Sequence, residues 1–482
     1  MVFSTSIFIY LFLPITLLIY YITPKKGKNL IILLSGLLFY SWGEPIYVIV
    51  MLISTMIDYF AGLVMNHFEG KKLPRRICLI VSVVMNLGLL GVFKYSGFIA
   101  ENINAIAGSQ IIDINNMNFF GIDFLPMNML PIGISFFTFQ SMSYTIDLYM
   151  GNVKVQKNPI SFAAFVTLFP QIVAGPIVRY DDVAKELDDR SITIDLIYDG
   201  IVRFIIGLSK KVLIANSIGA LWTAVKGTDI SQVSVVSSWL GILAFTFQIY
   251  FDFSGYSDMA IGLGKMMGFH FPENFNYPYL SKSISEFWRR WHITLGSWFK
   301  SYVYFPLGGN RKGMPRTIMN LAITWFLTGV WHGASWNYII WGLYYGCFVL
   351  FEQLMGKKRM RSIPIVLRHL YNKLVIIIGF GIFYFEDTKK LGIFLKTLFG
   401  FGGNGFSNAI VTTSFQNNVF LILLALICCF PLLKIPKAMM QKSPAMHITL
   451  SFAGTLCCVA LLIISSILLV DATNKPFLYL RF

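Results

Sequence analysis

The chain has 482 residues, 56% of them hydrophobic and 13% charged, with a formal net charge of +16. A soluble domain carries about 25% charge, so this density over this length excludes a water-soluble globule and makes lipid the solvent for much of the surface. The basic excess sits in short clusters between apolar runs, as positive charge held on the cytoplasmic side does, and no nucleic-acid-binding module interrupts it.

Mean hydropathy is +0.66. Phe occurs 44 times and Trp 10 times, which suits lipid-facing surfaces and interfacial belts. Cys78, Cys347, Cys428, Cys429, Cys457 and Cys458 all lie in apolar stretches without metal-ligand spacing, so neither a metal site nor a disulfide framework is expected. The N-terminus has no basic leader and no small-residue cleavage site, and it reads as a retained first span.

In chain order, candidate spans fall at 6–21, 30–42, 46–64, 77–93 and 125–146. Lys25, Lys26 and Lys28 follow the first, and Lys71, Lys72, Arg75 and Arg76 follow the third. The segment 95–123 carries Glu101, Asp113 and Asp123 and no Lys or Arg. With the basic clusters inside, the N-terminus and this acidic loop are extracytoplasmic.

Residues 154–280 hold apolar runs at 160–177, 196–221 and 233–251, with Arg203, Lys210, Lys211, Asp252 and Asp258 in or beside them. Charges at membrane depth are costly unless they face a cavity or a partner, so the pattern predicts broken or re-entrant helices. Asp252 and Asp258 either orient a histidine or form structural ion pairs.

Segment 285–299 predicts an amphipathic helix with Trp288, His292, Leu295 and Phe299 on one face. Arg289 and Arg290 on it suit phosphate binding, or equally an interfacial helix anchored at headgroups. The Gly308-Gly309 turn that follows lacks Walker spacing, and no dinucleotide fingerprint is present.

From 317 to 351 the one side chain able to exchange a proton near neutrality is His332. This run is flanked at both ends by basic clusters, Arg311–Arg316 and Lys357–Arg361, so the chain must enter and return. Gly333, Ser335 and Asn337 supply the break, beside Trp331. His332 then stands at the apex of a hairpin, roughly 25 Å from its base if each leg is helical. Imidazole there suits general-base work, and the plainer alternative is a histidine hydrogen-bonded to a neighbouring helix. Arg368 extends the second basic cluster, Lys434, Lys437 and Lys442 form a third, and spans at 374–385, 419–430 and 448–470 leave the C-terminus outside.

These residues resemble the membrane-bound O-acyltransferase family over nearly the whole chain. The marks are Pro131-Ile132-Gly133-Ile134-Ser135-Phe136, Phe169-Pro170-Gln171 with Ala174-Gly175-Pro176, and Asp252-Phe253-Ser254-Gly255-Tyr256-Ser257-Asp258. Glu286-Phe287-Trp288-Arg289-Arg290-Trp291-His292 and Val330-Trp331-His332-Gly333 complete the set. Within the family the likeness is to the alginate O-acetyltransferase membrane subunit branch, whose terminal motif Asn474–Phe482 resembles. That branch usually has an arginine where this chain has Glu386.

The resemblance implies an all-α polytopic fold, a ring of roughly 11–13 transmembrane and re-entrant helices around a central tunnel. It implies one integral-membrane domain over 1–482, with N-terminal spans in 1–95, the family core in 125–355 and C-terminal spans in 374–482. The implied seat is the cytoplasmic (inner) membrane. Acetyl-CoA is the implied acyl donor, with no permanently bound cofactor. An extracytoplasmic accessory protein of SGNH or alginate-acetylation type and a polysaccharide acceptor are the implied partners. His332 and His292 match the family's two signature histidines and are the expected catalytic pair. Asp252, Asp258, Arg289, Arg290, Trp288, Trp331 and Asn337 are expected to support them or bind donor. Two rival functions stand: D-alanyl transfer from a carrier-protein thioester to teichoic acid, and a polysaccharide transporter or export channel.

Overall fold

The computed structural model describes residues 1–113, 118–119, 122–126, 130–226, 232–402, 405–407, 409–441, 443–470 and 477–478. Of the terminal motif, Phe477 and Leu478 fall within them; Lys442 lies outside. The protein is a multi-pass helical membrane protein. Among the described residues seven helices are long and apolar enough to cross a membrane: Val48–His67, Lys72–Ala107, Ile194–Val225, Val235–Met266, Trp336–Ser362, Ile365–Tyr384 and Pro444–Val470. Shorter apolar helices run at Phe8–Ile22 and Val419–Cys428.

The chain gathers into two compact units. The first comprises Met1–Phe204 and Met259–Pro272. It holds α1 (Leu13–Ile22), α2 (Lys28–Ser41), α3 (Val48–His67), α4 (Lys72–Leu90), α5 (Ser96–Ala107), α6 (Ile134–Met150), α7 (Pro159–Val166), α8 (Phe169–Ile172) and α9 (Tyr180–Asp188). A short antiparallel pair, β1 (Asn118–Phe119) and β2 (Ile122–Pro126), is the sheet among the described residues. Helix α6 starts at Ile134, later than the expected span at 125, because Gly133 turns the backbone at φ 77 just before it. The 160–177 run breaks into α7 and α8 as its prolines require, with Asn158 capping α7 by accepting from the Ile160 amide at 2.9 Å.

The core of this unit includes a polar knot. Asp58 of α3 is fully buried and accepts from Ser82 at 2.5 Å and Asn86 at 3.0 Å on α4, and from Ser141 on α6. Every lone pair so engaged offsets the cost of burying a carboxyl group in an apolar bundle.

The helices α10 (Ile194–Ser209), α11 (Asn216–Lys226) and α12 (Val235–Met266) follow. The second unit comprises Ile205–Asp258 and Glu273–Phe482. It adds α13 (Ile284–Trp288), α14 (Ile293–Phe299), α15 (Gly313–His332), α16 (Trp336–Ser362), α17 (Ile365–Tyr384) and α18 (Thr388–Leu398). Last come α19 (Ala409–Asn417), α20 (Val419–Cys428), α21 (Lys434–Met440) and α22 (Pro444–Val470).

Two expectations fail here. The 233–251 run, with Asp252 and Asp258 just beyond it, does not break: α12 is one helix of 32 residues carrying both carboxylates. The carboxylates are met by lysines, so the helix has no need to unwind. The amphipathic helix expected over 285–299 is two short helices, α13 and α14, parted at His292, which sits in the left-handed region at φ 44, ψ 53. Such a conformation costs a non-glycine residue about 1–2 kcal/mol, so something must hold it.

Candidate active site

The hairpin expected around residue 332 is present. Helix α15 ends at His332, Gly333 is extended, and α16 begins at Trp336. Glycines let its legs touch backbone to backbone. A Cβ at Gly329 would meet the Tyr338 carbonyl oxygen at 2.4 Å, and one at Gly342 would meet that of Trp325 at 2.4 Å. A Cβ at Gly333 would strike the Tyr338 ring at 2.2 Å, so the turn closes only without a side chain there.

That closure seats the His332 imidazole among aromatic rings. It meets Trp341 edge-on at 4.6 Å between centroids, Trp331 at 5.1 Å and Phe383 at 5.3 Å. His332 is 6% exposed. Phe383 is brought there by Asn337, which is fully buried and donates to the carbonyls of Ile382 at 3.3 Å and Phe383 at 2.9 Å. Asn337 thus ties α16 to the end of α17 and fixes one wall around the histidine.

The His292 ring also neighbours Trp331, 6.0 Å between centroids, with Phe253 edge-on at 4.8 Å. Its left-handed backbone is gripped by Asn274, which is fully buried. The Asn274 carbonyl accepts from the Ile293 amide at 3.0 Å. Its side-chain Oδ1 accepts from Thr294 Oγ1 at 2.9 Å and lies 3.0 Å from His292 Nδ1. The Thr294 backbone amide, which can only donate, also reaches Oδ1 at 3.4 Å and identifies it as the acceptor, while Nδ2 meets Ser257 Oγ at 3.1 Å. His292 Nδ1 therefore carries the proton, and Nε2 carries the lone pair. Burial pushes the His292 imidazole down to about 3, so it stays neutral. No sequence signal marked Asn274, which stands between Glu273 and Asn276 in an irregular stretch.

The aromatic segment links the two histidines' surroundings. Trp288 stands edge-on to Trp341 at 5.3 Å, to Trp325 at 5.2 Å and to Tyr345 at 4.8 Å. Helix α13 is held at its N-terminus by Glu352 of α16, buried and accepting from the Ile284 amide at 2.5 Å and the Ser285 amide at 2.8 Å. A carboxylate on those first amides also complements the positive end of the helix. Arg290 forms a two-pronged pair with Glu286, at 2.9 and 3.0 Å, and donates to the Asn276 carbonyl at 3.2 Å. Burial alone would raise the Glu286 carboxyl, but the Lys282 amide and Arg290 bring it below its ordinary value. Arg290 is thereby engaged within the fold, whereas Arg289 beside it is exposed.

Asp252 and Asp258 both pair with lysines. Asp252 binds Lys211, with both side chains at most 4% exposed, and Asp258 binds Lys210 at 2.6 Å. The lysines sit on a π-helical turn, Lys210–Ala215, that widens the end of α10. Gly255 lets that turn approach, since its Cβ would lie 2.7 Å from the Gly207 carbonyl oxygen. The other Asp252 oxygen accepts the Leu478 amide at 2.7 Å. Phe477 is buried against Tyr256 at 4.6 Å and Phe253 at 6.1 Å, beside His292's phenyl neighbour.

A hairpin histidine, a second histidine fixed by a backbone kink and tryptophans between them form one arrangement. Compared with known proteins, residues 136–388 match the model of MBOAT, the membrane-bound O-acyltransferase family. The chain belongs to that family. The match spans α6 to the start of α18 and so contains every member of the arrangement described above except Phe477 and Leu478. "Probable alginate O-acetylase AlgI" of Pseudomonas putida is 37% identical, with 100% of both chains covered. The protein of the same name from Pseudomonas aeruginosa is 41% identical over 83% of this chain and 75% of its own. "Peptidoglycan O-acetyltransferase" of Helicobacter pylori is 36% identical over 72% of this chain and 69% of its own. The likeness to the alginate branch expected from the motifs is thus found, and it reaches both ends of this membrane-bound O-acyltransferase family member.

Proposed function

We propose that this protein takes an acetyl group from cytoplasmic acetyl-CoA and delivers it across the inner membrane to an extracytoplasmic hydroxyl, for O-acetylation of a cell-surface or secreted polysaccharide. The immediate acceptor is a serine of an SGNH-type or alginate-acetylation-type accessory protein, or the polymer itself. Family membership and relatives named for alginate and peptidoglycan O-acetylation support an O-acyltransferase acting toward a polysaccharide. The observation that carries the reading is the buried His332 imidazole at the hairpin turn, walled by Trp331, Trp341 and Phe383.

In this mechanism His332 accepts the proton of the acceptor hydroxyl as its oxygen attacks the thioester carbonyl. The new O–C bond forms, the C–S bond breaks, and the thiol leaves with the proton that His332 returns. His292 stays neutral, its Nδ1 proton on Asn274, and offers Nε2 to hold a donor or reacting group in place. Aromatic walls exclude water, which would otherwise hydrolyse the thioester. Arg289 is the exposed guanidinium suited to the donor's phosphates.

The test is transfer in proteoliposomes fed acetyl-labelled CoA, with the accessory protein or polymer enclosed. Label should appear in ester linkage to the acceptor and vanish with His332→Ala. Ester formation fed by a carrier-protein thioester and not by acetyl-CoA would contradict the donor assignment.

A further inference from the structure

We infer that the cleft between α3 and α4 seats one acyl chain of an anionic glycerophospholipid, with its phosphate on the basic turn that joins these helices. The cleft is open along one side and has a volume of about 550 Å³. Ile57, Phe60 and Val64 of α3 face Ile77, Val81 and Met85 of α4 across it. The polar atoms in its lining are turned inward: Ser82 donates to Asp58 at 2.5 Å, and Cys78 Sγ donates to the Ala61 carbonyl at 3.3 Å. A polar solute would find no partner there, whereas an alkyl chain needs none.

Dimensions fit a lipid tail. On α4 the lining runs from Leu73 to Met85, about 18 Å at a rise of ~1.5 Å per residue. One leaflet's share of a hydrocarbon core ~30 Å thick is about 15 Å. The cleft is therefore about one leaflet deep.

Charge selects the headgroup. Phe68, Leu73 and Pro74 line the end of the cleft at the turn, where Lys71, Lys72 and Arg76 are exposed. Arg75 is spent elsewhere, donating to the Leu148 carbonyl at 2.7 Å, and Lys71 lies 5.9 Å over the Phe68 ring. Glu69 is the one acidic residue of that turn, so the cluster remains net positive. Basic residues at the cytoplasmic end of a cleft between membrane helices attract anionic headgroups.

The experiment places the full-length protein in bilayers of equal phosphatidylglycerol and phosphatidylcholine, extracts it in mild detergent and counts retained lipids by native mass spectrometry. Phosphatidylglycerol should be retained in preference. The double variant Lys72→Glu, Arg76→Glu should lower its retention by about thirtyfold or more, and both positions are exposed, so the helices still pack. Val81→Trp should fill the cleft and lower retention of either lipid. Equal retention of the two lipids, or unchanged phosphatidylglycerol retention in the double variant, overturns the inference.

Discussion

His292 Nδ1 and Asn274 Oδ1 meet at 3.0 Å, and that contact decides which imidazole nitrogen carries the proton. The same asparagine holds the amide of Ile293 and the hydroxyl of Thr294. One residue therefore sets both the tautomer and the left-handed backbone.

Asn274→Ala should remove that control. Losing a buried hydrogen-bonding partner costs about 1–3 kcal/mol, which corresponds to roughly 5–150-fold. Turnover should fall within that range, while Asn274→Asp, which keeps an acceptor at the same place, should recover part of it. Single-turnover rates of acetyl transfer for the two variants check this.

The depressed His292 imidazole also links stability to pH. Its folded value is about 3, below the ordinary 6.5, so between these limits the unfolded chain binds the extra proton. Stability is then unaffected by this group above about pH 6.5 and is lost progressively as pH falls below it. Melting temperature in detergent should drop between pH 7 and pH 5, and His292→Gln should flatten that drop. An equal slope in the variant would show that other groups carry it.

Lys211 and Asp252 form an ion pair with almost no exposure, which makes single substitutions harsher than the double. Lys211→Met or Asp252→Asn alone leaves a buried charge unmatched, at about 3–5 kcal/mol. The double variant should regain much of the folded yield, measured by fluorescence-detected gel filtration. Additive losses would mean the two residues act separately.

Much of this architecture is legible in the sequence. The hairpin apex at His332 followed from two basic flanks around one apolar run and from Gly333, Ser335 and Asn337 within it, all local signals. The kink at His292 was not legible, because Trp288, His292, Leu295 and Phe299 keep helical spacing while the force that breaks the helix comes from Asn274, far from them in pattern. Asp252 and Asp258 misled in the same way. A charge in an apolar run announces its cost, but the lysines that meet it are 41 and 48 residues away in sequence. Partners of that kind are tertiary facts.

Hairpin geometry gives a further expectation. Gly329→Ala puts a Cβ 2.4 Å from the Tyr338 carbonyl oxygen, which must move. Overpacking of this kind costs about 1–3 kcal/mol and shifts the wall around His332. Melting temperature and turnover should both fall, whereas Gly88→Ala, with nothing within 4 Å, should leave both unchanged.

The two neighbouring arginines should separate kinetically. Arg289→Ala should raise KM for acetyl-CoA with kcat little changed, as expected when a binding contact is lost. Arg290→Ala should lower kcat or folded yield instead, because it releases Glu286 and the Asn276 carbonyl. Steady-state kinetics in proteoliposomes distinguish these outcomes.

The most direct measurement is acetyl transfer by His332→Ala in sealed proteoliposomes, alongside a melting curve on the same sample. General-base catalysis is worth about 10²–10⁴-fold, so transfer should fall by at least the lower figure while melting temperature stays near that of the parent protein. Transfer at the parent rate from a folded His332→Ala protein would contradict the account.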